Sequence, residues 1–259
     1  MFVNALKIVL ILLLTSCAIS PTGRQQFIAV SSEQLNLSGS LAFSELKQTR
    51  PIARDPHVNR YVNCVTQLIV NELAGGPAWE VVVFRDRSAN AFALPGGKIG
   101  VNTGLLQVAR TQDQLAAVIA HEVGHVLADH ANERLSQRLA IEGGLSLLGA
   151  VAGASEVSPV ALQALGIGAQ VGVLLPYSRI HESEADLIGL DLMARAGFDP
   201  RESISLWQNM QLSGDREPPE FLSSHPSHGT RIQELRGNIG PALQVYQASL
   251  QRGKRPRCG

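Results

Sequence analysis

The sequence has no excess of charge of either sign. It contains 22 Lys and Arg residues and 22 Asp and Glu residues among its 259. Such a chain has no net field that would gather nucleic acid or hold the whole protein against an anionic membrane. We therefore expect no nucleic-acid partner, and we interpret the short basic group at the C-terminus as a solvated tail.

The sequence also lacks internal repeats, low-complexity tracts and an unbroken apolar run of the roughly 20 residues that a transmembrane helix requires. Its composition, 45% hydrophobic and 17% charged, argues against disorder as the main state. The length and the apolar content fit one globular domain with a substantial core.

Cysteine is scarce, and the first of the three cysteines follows an apparent export leader. Lys7 and the apolar run from Ile8 to Leu14 are typical of a secretory signal peptide. The tetrapeptide Leu14-Thr15-Ser16-Cys17 resembles the bacterial lipobox. That resemblance implies a lipoprotein signal peptide over residues 1–16 and a lipid on the Cys17 thiol. The alternative is an ordinary signal peptide that happens to end in Cys.

A lipid on Cys17 would tether the protein to a membrane and leave its body in an exported, aqueous compartment. Ala18 follows the cysteine. By the same resemblance, Ala at that position favours the outer membrane, with the protein on the periplasmic side of the cell envelope.

The two other cysteines are Cys64 and Cys258. Two thiols in a compartment where disulfides persist could form one bridge, which would fasten the C-terminal tail to an early helix. The other possibility is two unpaired thiols, because a sequence does not give the distance between them.

The chain divides into a short anchored segment, a main domain and a tail. We expect a lipid-anchored linker and first helix over residues 17–50, the main domain over residues 51–250, and a C-terminal tail over residues 251–259. Residues 141–176 are apolar and rich in Gly and Ala, and Pro159 interrupts them. They predict a helical hairpin or lid within the main domain, and a hairpin that touches the membrane is the alternative.

Hydrophobic periodicity predicts the elements of the main domain. A helix is expected from Asp55-Pro56 to Leu73, another after Thr111 and a third from about Arg179 to Ala196. Three short apolar segments predict a small antiparallel sheet: Trp79–Phe84, Asn90–Leu94 and Lys98–Thr103.

The helix after Thr111 carries the pentapeptide His121-Glu122-Val123-Gly124-His125. Its two histidines are four residues apart, so both imidazoles lie on one helix face and can reach one metal ion. Glu122 is rotated by about 100° from His121 and can take a proton from a water molecule without ligating the metal. A catalytic zinc needs three protein ligands and one open position. The alternative, two histidines on a solvated face, is disfavoured by the apolar residues around them.

A third ligand is expected from a second helix. Glu182 and Asp186 are four residues apart and share one face of the helix predicted after Arg179. Glu182 can bind zinc, and Asp186 can accept the outer N–H of a ligating imidazole. His181 and Glu184 are the competing ligands, although we interpret Glu184 as an exposed helix charge. The remaining histidines, His57, His130 and His228, are interpreted as surface or helix-end residues.

These motifs resemble the HtpX-like and CAAX-processing zinc metallopeptidases of the gluzincin type. Similar subgroups are bacterial lipoproteins of the LoiP and BepA type and mitochondrial Oma-type proteases. The resemblance implies an α+β fold, a mainly helical zincin-like domain with a small antiparallel β-sheet beside the helix of the motif. It also implies one Zn²⁺ per chain, held by His121, His125 and Glu182.

The resemblance implies further site residues. An edge strand in this family binds the substrate backbone, which assigns substrate binding to Asn90, Ala91, Phe92 and Ala93; the bland alternative is plain sheet structure. His225, followed by Pro226, would assist the oxyanion or occupy the open zinc position at rest. Arg231 would line the cleft. A loop histidine of no function is the alternative for His225.

The expected function is that of a zinc-dependent endopeptidase that cleaves misfolded or unassembled exported proteins, with Glu122 activating the attacking water. A zinc-containing chaperone or assembly factor of the envelope is the main alternative. A hydrolase of small peptides or other amides is a third.

Overall fold

The computed structural model describes residues 17–151, 177–212, 221, 225 and 231–259. The leader over residues 1–16 and residues 152–176 of the expected hairpin lie outside the described residues, as does His228. Among the described residues, no helix combines the length and the apolar character needed to cross a membrane.

The described elements are mainly helices, with five short strands before the longest of them. In chain order they are β1 (Cys17–Ile19), β2 (Gln25–Phe27), α1 (Ser32–Thr49), α2 (Pro56–Val70), β3 (Glu80–Phe84), β4 (Ala91–Leu94), β5 (Lys98–Asn102), α3 (Leu105–Val108), α4 (Gln112–Leu127), α5 (His130–Val151), α6 (Arg179–Arg195), α7 (Glu202–Leu212) and α8 (Arg231–Gln251). The predicted α+β class, mainly helical with a small sheet beside the motif helix, is confirmed.

The expectation that the sheet is antiparallel is wrong in one pairing. Its strand order is β3-β5-β4, and β5 pairs antiparallel with β4 but parallel with β3. After β3, residues 85–90 lead the chain to β4, which does not pair with β3. The turn at Pro95-Gly96-Gly97 then brings β5 back between β3 and β4. The hydropathy of a short strand gives no information on its neighbour's direction.

The strand β4 therefore lies at one edge of the sheet, beside α4. The opposite edge is covered: Ala53 donates a backbone hydrogen bond to Val83 of β3 (2.8 Å). Of the two edges of this three-stranded sheet, the one that faces the motif helix is the one predicted to meet substrate.

Helix caps begin α2 and α4 where the sequence places them. The Asp55 carboxylate accepts a hydrogen bond from the backbone N–H of His57 (2.8 Å), and Pro56 occupies the first turn of α2. The Thr111 hydroxyl accepts from the N–H of Gln114 (3.2 Å) at the start of α4. Helix α4 ends before Asp129, whose positive φ of 52° turns the chain into α5.

Helices α4 and α6 pack closely because glycine lies at their contact. A Cβ atom on Gly124 would stand 2.9 Å from the carbonyl oxygen of Ala185, and one on Gly189 would stand 3.1 Å from the backbone nitrogen of His121. Any larger residue would push the helices apart. The close approach brings the side chains of α6 to those of the α4 motif.

The core surrounds α4, whose apolar side chains at Leu115, Ile119 and Val123 are fully buried. The tail is fastened to this core because Cys64 of α2 forms a disulfide with Cys258, with an S–S distance of 2.06 Å. Of the two arrangements considered for these cysteines, the structure has the bridge.

Candidate metal centre

Helix α4 brings the three polar residues of its motif into the interior. His121, Glu122 and His125 are 4%, 1% and 2% exposed. The four-residue spacing sets the two imidazoles one turn apart, and their Nε2 atoms are separated by 3.0 Å. Because buried polar atoms are normally bonded, the two Nε2 atoms require a further polar partner on the side of the helix where they meet.

Helix α6 supplies that partner. Glu182, in the first turn after the Ser178 N-cap, points its carboxylate at both imidazoles. One oxygen lies 3.4 Å from His121 Nε2 and the other 3.5 Å from His125 Nε2. Asp186, one turn later, lies 3.0 Å from the outer nitrogen of His121, Nδ1. The face shared by Glu182 and Asp186 is the face that meets α4.

His225 completes the cluster from a separate segment. Its Nδ1 lies 3.1 Å from Glu182 Oε1 and 3.3 Å from His121 Nε2. Its Nε2 lies 3.3 Å from Glu122 Oε1, and its ring stacks on Phe221 at a centroid distance of 4.4 Å. The predicted site residue His225 is therefore brought to the two α4 histidines.

Four nitrogen and oxygen donors thus converge within 4.8 Å of one another, from His121, His125, Glu182 and His225. We call these four residues the ligand cluster. Donors about 2.1 Å from a tetrahedral zinc ion stand roughly 3.4 Å apart, which matches the separations of 3.0–3.5 Å found here.

Unsatisfied oxygen atoms support the same interpretation. Glu122 Oε1 and Glu182 Oε2 are buried and make no hydrogen bond, although Glu182 Oε2 lies 2.6 Å from the Arg231 guanidinium. Buried carboxylate oxygens without hydrogen bonds are costly and mark an ion or water site. The donor set fits one metal ion.

Arg231 lies against the ligand cluster from helix α8. Its guanidinium donates two hydrogen bonds to Asp186, at 2.5 and 2.8 Å, and stacks over the ring of Trp207 at 3.8 Å. The arginine is 3% exposed. This bidentate pair fixes Asp186 beside His121, so Arg231 also holds the α6 carboxylate in place.

Burial and charge set the protonation of the motif residues. Burial raises the pKa of Glu122, which makes it a stronger base than an exposed carboxylate. Burial holds the pKa of His125 well below its usual value, so its imidazole is neutral and has a free lone pair. Burial alone would raise the pKa of Glu182, but attraction to His225 and Arg231 keeps it well below the usual range.

His121 differs from His125 in its charge. Burial and Arg231 lower the pKa of His121, but the carboxylates of Asp186 and Glu182 outweigh them and raise it to about 9. His121 therefore carries a proton in the metal-free protein at neutral pH. A metal ion bound there would displace that proton.

The edge strand β4 contacts Glu122 directly. The backbone N–H of Ala93 donates a hydrogen bond to Glu122 Oε2 (3.0 Å), so the free edge of β4 faces the site. Backbone groups alternate in direction along a strand, and Ala91 therefore points to the same side as Ala93. The carbonyl of Asn90 instead accepts from Asn102, and the Phe92 ring packs in the core under α1. Of the four residues assigned to substrate binding, Ala91 and Ala93 direct their backbone groups to the side of the site, and the N–H of Ala93 is already bonded to Glu122.

A second group of buried polar residues lies behind His125, and sequence interpretation did not bring its members together. We call it the back cluster: Arg24, His130, Glu133, His181 and Glu184. Of the two interpretations of His130, surface or helix end, the structure has the helix end, since His130 is the first residue of α5 and is fully buried. The expectation for Glu184 is wrong, because it is 5% exposed and not an exposed helix charge.

The back cluster is held by ion pairs. Arg24 donates to Glu184 (2.8 Å) and to both oxygens of Glu133 (2.6 and 2.8 Å). Each glutamate also faces one histidine at 3.1 Å: Glu184 faces His130 and Glu133 faces His181. Arg24 is 109 residues from Glu133 and 160 from Glu184, so no local sequence pattern could have joined them.

Tyr177 is a further contact that the sequence did not reveal. Its ring stacks on His125 at a centroid distance of 3.8 Å, and burial raises the pKa of its hydroxyl to about 12. Together with Ala93, Pro95 and His125, it lines a small cleft beside the edge strand. The ring fixes the plane of His125 from the cleft side.

Comparison of the sequence with known proteins identifies the family of the chain. The model of peptidase family M48 matches residues 54–239. A Saccharomyces cerevisiae protein named mitochondrial metalloendopeptidase OMA1 is 37% identical over 191 residues, which are 69% of this chain and 52% of the yeast protein. Its Bos taurus namesake is 32% identical over 254 residues, 90% of this chain and 48% of the bovine protein.

A bacterial relative is similar over the same region. The beta-barrel assembly-enhancing protease of Yersinia pestis is 27% identical over 230 residues, 86% of this chain and 47% of that protein. The chain therefore spans about half the length of these relatives.

Proposed function

Because this chain belongs to peptidase family M48, we propose that it is a zinc-dependent endopeptidase of the cell envelope. The observation that carries the proposal is the convergence of His121, His125 and Glu182, with the unbonded oxygen of Glu122 beside them. A structural zinc would need no base next to it.

In this proposal one zinc ion is held by His121, His125 and Glu182, and Asp186 accepts the outer N–H of His121. Bound there, zinc would polarise the carbonyl of the peptide and make a water molecule acidic enough to attack near neutral pH. The remaining steps are carried out by side chains of this protein.

Glu122 is the general base. Its pKa is raised by burial, so it can accept a proton from the attacking water and return that proton to the amine that leaves. The hydrogen bond from Ala93 to its other oxygen holds the carboxylate in one orientation. That bond also keeps the base within reach of the edge where a substrate strand would lie.

His225 has two roles in sequence. At rest it occupies the fourth position of the ligand cluster, because its Nδ1 lies 3.1 Å from Glu182 and 3.3 Å from His121. When a substrate enters, His225 gives up that position and donates a hydrogen bond to the developing oxyanion. Arg231 assists by holding Asp186 and by facing Glu182.

The substrate is an extended protein chain. The backbone groups of Ala91 and the carbonyl of Ala93, on the edge of β4 away from β5, would pair with a substrate strand, which an unfolded chain supplies and a folded one does not. We propose misfolded or unassembled exported proteins as substrates. The lipobox supports this compartment, with a lipid on Cys17 and the outer membrane favoured by Ala18, and so does the resemblance to a protease named for β-barrel assembly.

The direct test replaces Glu122 with Gln. The variant should retain one zinc per chain, measured by elemental analysis, and cleave a reduced, unfolded envelope protein about a thousandfold more slowly. Glu45→Gln on the exposed face of α1 is the matched control and should cleave at the wild-type rate. Wild-type turnover by Glu122→Gln would defeat the assignment.

A zinc-containing chaperone is the rival proposal, and one observation favours it. The whole ligand cluster is buried, and His225 fills the position that a substrate needs. The comparison of wild type, Glu122→Gln and His225→Ala on one unfolded substrate separates the two. Binding by all three without cleavage by any of them would favour the chaperone.

A further inference from the structure

The back cluster contacts the ligand cluster at one point. The ring nitrogen of His130, Nδ1, lies 2.9 Å from the outer nitrogen of His125, Nδ1. Both rings are buried, and the rings are 5.0 Å apart between centroids. Two nitrogens at this distance share one hydrogen, so one ring must donate and the other accept.

Glu184 decides which ring donates. Its Oε2 lies 3.1 Å from the other nitrogen of His130, Nε2. The same oxygen accepts a hydrogen bond from Arg24 (2.8 Å), so it acts as an acceptor, and Nε2 of His130 must carry the hydrogen. A neutral imidazole with a hydrogen on Nε2 has its lone pair on Nδ1.

The lone pair on His130 Nδ1 can only accept from His125. The hydrogen of His125 then sits on its outer nitrogen, Nδ1, and its Nε2 keeps a lone pair. That Nε2 is the atom that lies 3.0 Å from His121 Nε2 and 3.5 Å from Glu182. The opposite tautomer would point a hydrogen into the ligand cluster and block a metal.

We propose that Glu184 and His130, held by Arg24, form a relay that fixes His125 in the tautomer and orientation that bind metal. His130 and Glu184 are positioning residues, since they touch neither the metal position nor the substrate edge. The inference rests on the proposed function in one respect, namely that His125 is a metal ligand.

Arg24 links this relay to the N-terminal segment. It lies between β1 and β2, which pair with each other from Cys17↔Phe27 to Ile19↔Gln25. The ribbon is further tied down because Gln26 donates to the backbone carbonyl of Ala128 (2.6 Å), between α4 and α5. The segment expected to be a linker after the lipid-anchored residue is thus part of the support of the metal site.

The chain supplies a matched pair of histidines for the test. His130 and His181 are both buried, each has Nε2 3.1 Å from a buried glutamate, and their rings stack on each other at 4.5 Å. Only His130 contacts His125. His130→Phe and His181→Phe each remove one contact with a buried glutamate, but only His130→Phe also removes the contact with His125 and so breaks the relay.

The readout is the zinc dissociation constant, measured on folded protein by competition with a chromogenic chelator. Loss of such a supporting contact typically weakens metal binding about 10–100-fold, which is the effect expected for His130→Phe. His181→Phe should stay within about threefold of wild type on the same scale. The visible absorption of the Co²⁺-loaded protein should change in His130→Phe alone, because it reports the geometry at the metal.

A second pair of variants changes partly exposed arginines, so that both proteins are expected to fold. Arg24 and Arg50 have side chains 24% and 26% exposed, and both pair with carboxylates. Arg24 bonds Glu184 and Glu133, whereas the bonds of Arg50 go to Asp86 and Asn102 and not to the relay. Arg24→Met should weaken zinc binding roughly threefold to tenfold, less than loss of the direct contact, and Arg50→Met should not.

The outcomes separate this inference from the proposed function. If wild type and His181→Phe bind no zinc, the metal site itself is wrong. If wild type binds zinc and both phenylalanine variants bind it equally, the metal site stands and the relay is refuted. A weakening found only in His130→Phe and Arg24→Met supports the relay.

Discussion

The ligand cluster and the back cluster both contain buried histidine and glutamate, but they differ in how these polar groups are arranged. Both are buried, and both bring histidines and glutamates together from α6 and from the segment α4–α5. In the back cluster Arg24 lies between the two glutamates and bonds both. In the ligand cluster the donors converge on a common point, and one oxygen of Glu182 and one of the neighbouring Glu122 make no hydrogen bond.

The difference shows what distinguishes a metal site from a structural ion network. A buried carboxylate needs a cation, and an arginine can supply it as well as a metal can. Among the described residues, only the ligand cluster brings its donors within 4.8 Å of one another. Convergence of the donors on one point, more than residue composition, identifies the metal site.

The largest expected effect comes from removing one ligand. His125→Ala should weaken zinc binding about a thousandfold or more, because it removes one of three ligands. His181→Ala, a change of the same residue type in the back cluster, should leave the zinc stoichiometry at one per chain. An equal loss of zinc binding in both variants would contradict the assignment of the metal to the ligand cluster.

Zinc should stabilise the protein only through the ligand cluster. At a free zinc concentration about a thousandfold above the dissociation constant, binding adds about 4 kcal/mol to the free energy of unfolding. Thermal denaturation with and without a chelator should therefore give different midpoints for wild type. For His125→Ala the two midpoints should nearly coincide, and a large difference there would point to a second zinc site.

The back cluster should respond to acid. Burial is the main cause that lowers the pKa of His181 from 6.5 to about 4. The unfolded chain therefore binds a proton that the folded protein does not, and stability falls as the pH drops from about 6.5 towards 4. The loss from this group is at most about 3 kcal/mol.

Urea denaturation of the metal-free protein at several pH values measures this loss. His181→Phe has no titrating ring, so its stability should fall less than that of wild type over the same interval. Identical pH profiles would show that His181 is not the group responsible.

The smallest effect concerns Asp186. Its contact with His121 is predicted to orient that ligand, so Asp186→Ala should weaken zinc binding by about 10–100-fold. Asp191→Ala is the control on the same helix, since Asp191 pairs only with Arg195 at the surface. An unchanged dissociation constant for Asp186→Ala would remove that role.

Local spacing made much of the ligand cluster predictable. The four-residue periods of His121 with His125 and of Glu182 with Asp186 are properties of a helix, and they needed only that the two helices meet. Gly124 on α4 and Gly189 on α6 lie where the two helices touch, and they permit the close approach. The sequence did not decide, by contrast, whether Cys64 and Cys258 form a disulfide or remain two unpaired thiols.

The back cluster could not be predicted in the same way. Its arginine is separated from its partners by more than 100 residues, and the burial of Glu184 depends on that arginine. Charged residues are rarely buried unless they are paired, so an isolated helical glutamate is reasonably interpreted as exposed. The parallel pairing of β3 with β5 was missed for a similar reason, since short apolar strands do not specify their neighbours.

The most direct test of the central claim is the location of the metal. Crystals of the zinc-loaded protein, measured at the zinc absorption edge, should give one anomalous peak per chain, bounded by His121, His125 and Glu182. A peak in the back cluster between Glu133 and Glu184, or no peak at stoichiometric zinc, would contradict the account.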